Sequence, residues 1–172
     1  MEKKLKVKLV KRAKLGDAQA FVTLCEGYQL VLYNSAYKLL LNDEDVADCL
    51  QETEIRAWQK IRNIKNEAAF NSWIFSIMIN IANDILRKRV DTIEFVETHG
   101  QVEEGNDTSS NLEQELSQLS EKYRIPLVLH YYSGFSIKEI AGQLKISTNT
   151  VKTRLARGRQ QLKVLLEVKG NE

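Results

Sequence analysis

Asn149, Lys152, Thr153, Ala156 and Arg157 crowd one side of a segment whose other side carries Val151, Leu155, Leu162 and Leu166. On a helix turning about 100° per residue, Asn149, Thr153, Ala156 and Gln160 lie opposite Val151, with Lys152 and Arg157 flanking them. These side chains are small, polar or cationic, and none is acidic. Such a face fits the major groove of duplex DNA, roughly 12 Å wide, where Arg and Lys pair with guanine, Asn with adenine, and a small side chain meets a thymine methyl. Taken singly, Lys152, Arg154, Arg157, Arg159 and Lys163 could equally be solvated cations on a surface helix. Only the whole arrangement points to DNA.

Holding that face in place requires a second helix. Ser136, Ile137, Lys138 and Glu139 have the order of a capping box, in which the Ser hydroxyl accepts from the third helical N–H and the Glu reaches back. Along that helix Ile137, Ile140, Ala141 and Leu144 share a face. After a polar break Ser147 is placed to cap the helix of the candidate DNA face. A helix, a tight turn and a second helix follow, packed through one shared apolar seam.

The chain has 172 residues and is 43% hydrophobic, enough for one medium domain or two small ones, and with a single Pro it reads as helical material. No apolar run approaches the roughly eighteen residues needed to cross a bilayer, and the charged start MEKKLKVKLVKR leads into no signal-peptide core, so a cytoplasmic location is expected. Cys25 and Cys49 each sit in an apolar helical pattern and read as buried thiols. His99 and His130 lack Cys partners nearby, so neither a metal nor a cofactor is expected. The net charge of +2 conceals a segregation: residues 1–16 carry +6, 17–90 carry −2, 91–121 carry −9 and 122–172 carry +7. The two ends suit polyanions and the middle repels them.

From Asp17 to about Arg89 the pattern is helical almost throughout, while the cationic lead-in before it is assigned no element. Phe21, Leu24, Cys25, Leu30, Leu32, Tyr33, Ala36, Tyr37 and Leu40 are spaced for one buried face, and Asn42 and Asp43 mark a turn. A further helix is expected from about Asp45 to Lys60, with Val46, Leu50, Thr53 and Ala57 as one row and Cys49 and Ile55 beside it. IRNIKNEAA reads as a loop or frayed helix end. The helical pattern returns from Phe70 through Trp73, Ile74, Ile77, Met78, Ile81 and Ile85 to Arg87, Lys88 and Arg89. Residues 91–111 lose periodicity and gain acid, Gly, Ser and Thr, as a flexible linker does. From Leu112 a second helical bundle follows, with Pro126 expected in the first turn of a helix after a short break. The fold class is therefore all-α: two small helical domains, 1–90 and 112–172, joined by a flexible acidic linker, with the helix-turn-helix in the second.

Four stretches in order, GDAQAFVTLCEGY, DVADCLQETEIRAW, AFNSWIFSIMINIANDILRKR and YYSGFSIKEIAGQLKISTNTVKTRLARGRQQL, resemble the bacterial extracytoplasmic-function (ECF) sigma factors of the two-domain type. The resemblance spans nearly the whole chain apart from the linker and the first dozen residues. It implies a first domain that docks on core RNA polymerase and captures the promoter −10 element as melted non-template strand. It implies a second domain that grips the −35 duplex, and a linker that threads through the polymerase toward the RNA exit path.

The same resemblance assigns roles. Asp48, Gln51 and Glu52, three and four apart on one helix face, fall at the polymerase-docking motif. Arg62, Asn63, Lys65 and Asn66 beside Phe70 fall where a melted strand is held, edge-reading donors next to a nonpolar wall. Asn80, Asn83, Asp84 and Arg87 fall where further strand contacts lie. Trp58, Trp73 and Phe75 are open between core packing and base stacking. Lys152, Thr153 and Arg157 match base-contacting positions with Ala156 between them, while Ser147, Asn149, Thr150, Arg154 and Arg159 become cap or phosphate contacts. The implied partners are bacterial core RNA polymerase, promoter DNA and an anti-sigma factor, commonly membrane-anchored; no small-molecule substrate is implied.

Three positions depart from the family's pattern. Lys145 stands in the turn where Gly is frequent, at a cost on the order of 1 kcal/mol if the backbone there is left-handed. Gly158 replaces a frequent Ala, at roughly 0.5 to 1 kcal/mol, and Ala156 is smaller than in some relatives. An enzyme reading finds no Gly-rich phosphate loop, nucleophile elbow or metal-binding signature to rest on. A helix-turn-helix regulator with a helical sensory or dimerisation domain is the alternative; it predicts a dimer on palindromic sites, where a sigma factor predicts a monomer that needs core polymerase.

Overall fold

The computed structural model describes residues 1–93 and 111–169, and among them every regular element is helical. The greater part of the expected linker, 94–110, lies outside the described residues. The chain divides into two compact units, Met1–Ile85 and Leu86–Glu172.

The first unit opens with a helix the sequence pattern did not assign, α1 (Lys3–Lys14), which buries Leu9, Val10 and Ala13. Seven cations over the first sixteen residues mask so short an apolar stripe. A left-handed Gly16 at φ 96° turns the chain into α2 (Ala18–Leu40). Asp17 caps α2 by accepting from the Ala20 N–H at 3.0 Å, and Arg12 Nε donates to Asp17 Oδ2 at 2.8 Å. The Ala20 N–H first and the Arg12 guanidinium second hold the Asp17 carboxyl below its usual range.

Along α2 the buried stripe is Ala20, Phe21, Leu24 and Cys25, then Leu32, Ala36, Leu39 and Leu40. Leu30 and Tyr33, expected on that face, are 71% and 41% exposed. Leu30 lies about 200° around the helix from Leu32, so one face cannot bury both. Leu41, left-handed at φ 55°, ends α2, and Asn42 caps α3 (Asp43–Lys60) by accepting from the Asp45 N–H at 2.9 Å. Val46, Cys49, Thr53 and Ala57 form the buried row of α3. Ile55 is 46% exposed, again about 200° from a buried neighbour, Thr53.

Two 3₁₀ turns, Ile61–Asn63 and Glu67–Ala69, fill the expected loop before α4 (Phe70–Ile93). The last helical turn of α4 carries it three residues beyond the expected end of the first domain. Phe70, Ile74, Phe75, Met78, Ile79 and Ala82 are buried on α4. The Cys49 thiol donates to the Met78 carbonyl at 3.7 Å, tying α3 to α4.

The second unit contains four further helices: α5 (Asn111–Gln118), α6 (Glu121–Tyr131), α7 (Ile137–Leu144) and α8 (Thr148–Lys169). Pro126 is not in a first turn; it sits in the interior of α6, buried among Tyr123, Leu127, Val128 and Leu129. The break falls earlier, at Leu119 and Ser120, where the buried Arg124 donates to the Leu119 carbonyl at 3.3 Å. Packing of this apolar helix outweighs the backbone hydrogen bond that Pro cannot donate.

Candidate nucleic-acid interfaces

In the second unit, Gly134 at φ 71° turns α6 toward α7, and the His130 ring hydrogen-bonds the Phe135 carbonyl at 2.9 Å across that turn. The capping box forms as expected: the Ser136 and Glu139 side chains each bond the other's backbone N–H. Ile140 and Ala141 are buried, and Lys145 closes α7 in the left-handed conformation at φ 54°. Ser147 Oγ accepts from the Thr150 N–H at 3.0 Å and meets Thr150 Oγ1 at 2.8 Å. Both hydroxyls therefore serve the start of α8.

The stripe of α8 that packs inward runs Val151, Leu155 and Gly158, which are buried, then Leu162 and Leu165, which are half-buried. Leu166, expected in that stripe, is 41% exposed because the helical period carries the seam to Leu165 instead. Asn149, Lys152, Thr153, Ala156, Arg157 and Gln160 are all exposed, while Arg154 is half-buried. Thr153 Oγ1 donates to the Asn149 carbonyl at 3.0 Å.

Two contacts that spacing did not signal reach this helix from α6. Arg159 donates to the Tyr131 hydroxyl at 3.0 Å. Arg157 first, and Lys122 after it, draw the Tyr123 phenol of α6 below its usual pKa of 10. Gly158 is explained by the same packing: a Cβ there would stand 2.9 Å from Leu127 Cδ1 on α6.

In the first unit, Arg62, Asn63, Lys65 and Asn66 are exposed on the segment between α3 and α4, while Ile61 and Ile64 anchor it in the core. The Asn66 side chain accepts from the Ala68 N–H at 3.0 Å and so caps the second 3₁₀ turn. Lys14 of α1 reaches this segment, donating to the Ile64 carbonyl at 2.9 Å and to Glu67 Oε1 at 2.7 Å. Phe70 is not available as a wall for a base: it is 0% exposed, with its ring centroid 5.6 Å from Tyr28 and 5.7 Å from Trp73. The first residue of α4 is the one that seals the loop onto the core. Phe75 is likewise buried, whereas Trp73 is half-buried. Further along α4, Asn80 and Arg87 are exposed and Asn83 and Asp84 half-buried. Their spacing of three and four keeps them in one row.

On α3, Asp48 and Gln51 are exposed. Glu52 is half-buried and accepts from Arg56 Nε at 2.6 Å, so its charge is partly engaged within its own helix. Ile55 and Trp58, 46% and 38% exposed, continue the row of Asp48 and Gln51 at spacings of four and three. Acidic, amide and apolar groups thus share one open helical face. The apolar pattern places Ile55 beside the buried row and aromatic type alone does not decide Trp58, but both are exposed.

Among the described residues no helix is long and apolar enough to cross a membrane, and no group of three or more His, Cys, Asp or Glu side chains is placed to hold a metal.

Residues 24–92 match the family model for sigma-70 region 2, and residues 109–162 match that for sigma-70 region 4. The chain is 30% identical over 175 residues to the ECF RNA polymerase sigma factor SigW of Bacillus subtilis (strain 168), covering 91% of this chain and 94% of SigW. Among solved structures, CnrH in complex with the cytosolic domain of CnrY superposes with a TM-score of 0.70 at 24% identity, over 95% of this chain and 98% of CnrH. The sigma factor RpoE of Bartonella quintana, crystallised with the anti-sigma factor NepR, gives 0.68 at 24% identity, over 85% of this chain and 98% of RpoE. These two likenesses are of fold.

Proposed function

This chain belongs to the ECF sigma factors, and on that premise we propose that it recruits core RNA polymerase through the α3 face and reads promoters with two separate surfaces. Lys152, Thr153, Ala156 and Arg157 of α8 read the −35 duplex from the major groove, with Asn149 and Arg154 on the backbone beside them. Ser147 and Thr150 fix the start of that helix so that its first turn meets the phosphates. Arg62, Asn63, Lys65 and Asn66 hold the melted −10 strand, and Asn80, Asn83, Asp84 and Arg87 extend its track. Phe70 shapes that surface from beneath.

The observation that carries this reading is the exposed, acid-free stripe Asn149, Thr153, Ala156 and Gln160 on a capped helix-turn-helix, in a chain that also carries region 2. The regulator reading has no such place for residues 24–92, which it would need as a sensory or dimerisation domain.

Asp48 and Gln51 supply hydrogen-bonding and negative charge for a cationic polymerase helix, and Ile55 and Trp58 supply apolar area at its centre. Catalysis belongs to the polymerase, and the chain works in the cytoplasm. A membrane-anchored anti-sigma factor covers the same surfaces until it is released; the solved complexes of CnrH with CnrY and RpoE with NepR support control by such a partner.

The test is multi-round transcription by bacterial core polymerase on promoter fragments from the source genome, with and without the protein. Discrete start sites that vanish with Arg157→Ala, and with Asp48→Arg together with retention on core polymerase, are the expected outcome. Absence of stimulation, with tight binding of the free protein to palindromic duplexes, would replace this reading by the regulator.

A further inference from the structure

Besides its own anchors, the segment 61–69 is held by a helix far from it in sequence. The Ile64 carbonyl lies between the exposed pairs Arg62–Asn63 and Lys65–Asn66, and it is the group that Lys14 Nζ holds at 2.9 Å. The same ammonium holds Glu67 Oε1 at 2.7 Å, with both side chains only about a quarter exposed, at 26% and 23%. Displacing that carbonyl rotates the peptide joining the two pairs and turns both. On the near side, Arg12 grips Asp17 at 2.7 Å and fixes the corner between α1 and α2. At that corner Gly16, at φ 96°, lies close to Arg62, whose Nη2 would stand 3.8 Å from a Cβ built on Gly16.

We propose that α1 is a strap and Lys14 a positioning residue for promoter reading: by holding Ile64 and Glu67 it presets the exposed segment in the shape that receives the melted strand. This inference rests on the reading of residues 62–66 as the strand reader. Preorganisation of this kind acts on strand affinity and base preference, because the loop need not be ordered when the strand arrives. A merely structural tie would act on the melting temperature alone.

The experiment uses holoenzyme assembled from the full chain and bacterial core polymerase. The probe is a pool of single-stranded DNA oligonucleotides, randomised over successive positions, selected on the holoenzyme and sequenced. Lys14→Met is expected to lower the enrichment of preferred bases about tenfold, the scale of losing charge-assisted hydrogen bonds, with retention on core polymerase unchanged. Lys14→Arg, which keeps the positive charge and N–H donors, is expected to restore most of it. Should Lys14→Met fail to fold, Lys14→Gln decides, since it removes the charge from both contacts and keeps a polar side chain at that half-buried position. An unchanged enrichment profile in the folded variant, with Arg62→Ala and Lys65→Ala still altering it, would overturn the strap and leave the reader standing. If Arg62→Ala and Lys65→Ala also leave the profile unchanged, the strand-reader assignment fails and the strap with it.

Discussion

Gly158 on α8 approaches Leu127 on α6 so closely that a Cβ at position 158 would stand 2.9 Å from Leu127 Cδ1 and 3.3 Å from Tyr123 Cβ. Helix propensity alone favours Ala there by about 1 kcal/mol. Leu127 is 3% exposed and packed against this position, so crowding of about 1 to 3 kcal/mol outweighs it. Gly158→Ala is expected to destabilise the second unit by about 1 kcal/mol net, measured by denaturant unfolding of the full chain followed by a probe in that unit. A more stable variant would show that the two helices separate freely.

Phe70 is expected to behave as core. Phe70→Ala should cost about 3 to 5 kcal/mol in unfolding free energy, as for other fully buried aromatic side chains. Unchanged stability together with lost capture of single-stranded DNA would instead place the ring against a base.

Cys25 and Cys49 are free thiols, and burial pushes their pKa values up to about 12 and about 11. Glu54 and Glu26 add to the effect at Cys25; at Cys49 the Thr53 hydrogen bond offsets part of it. Thiolate is the reactive form, so iodoacetamide at pH 8 should label the native chain about a hundredfold or more slowly than the chain in denaturant. Rapid native labelling of either would contradict its burial.

Glu67 is held below its ordinary value of 4.5, first by the hydrogen bond from Lys14, with the charges of Lys14 and Lys11 adding to it. A carboxyl whose folded pKa is depressed contributes stability above its unfolded pKa and loses it as pH falls through the folded value. The link to Lys14 is thus complete at neutral pH, begins to weaken below about pH 4.5, and is lost beneath the folded pKa. In carboxyl-resolved NMR the Glu67 midpoint should lie below 4.5 in the native chain and move upward in Lys14→Met. Coincident midpoints would mean that the pair is not formed in solution.

The helix-turn-helix was legible in sequence because its punctuation is local. A capping box, a turn residue and a second capping Ser act within a few residues of one another, so Ser136, Lys145 and Ser147 take the expected places. The open face of α8 followed from period alone, since Asn149, Thr153, Ala156 and Gln160 needed only to lie opposite Val151. Apolar type misleads where period is against it: Leu30 and Ile55 lie about 200° from the buried Leu32 and Thr53, and both are exposed. Pro126 was placed by propensity, and the packing of α6 overrode it.

Composition, charge segregation and helical period by themselves determined that the chain is all-α, that its last helix carries an open, acid-free face, and which residues of that helix face outward. Those properties depend on interactions within one or two helical turns. Tertiary structure alone decided that the cationic start is a helix, that its Lys14 grips residues 64 and 67, that Phe70 is core and Trp58 partly exposed, and that a side chain at position 158 would crowd Leu127. Each of these depends on which surface another helix covers, and residues as far apart as Lys14 and Glu67 carry no mark of their partnership until the chain has folded.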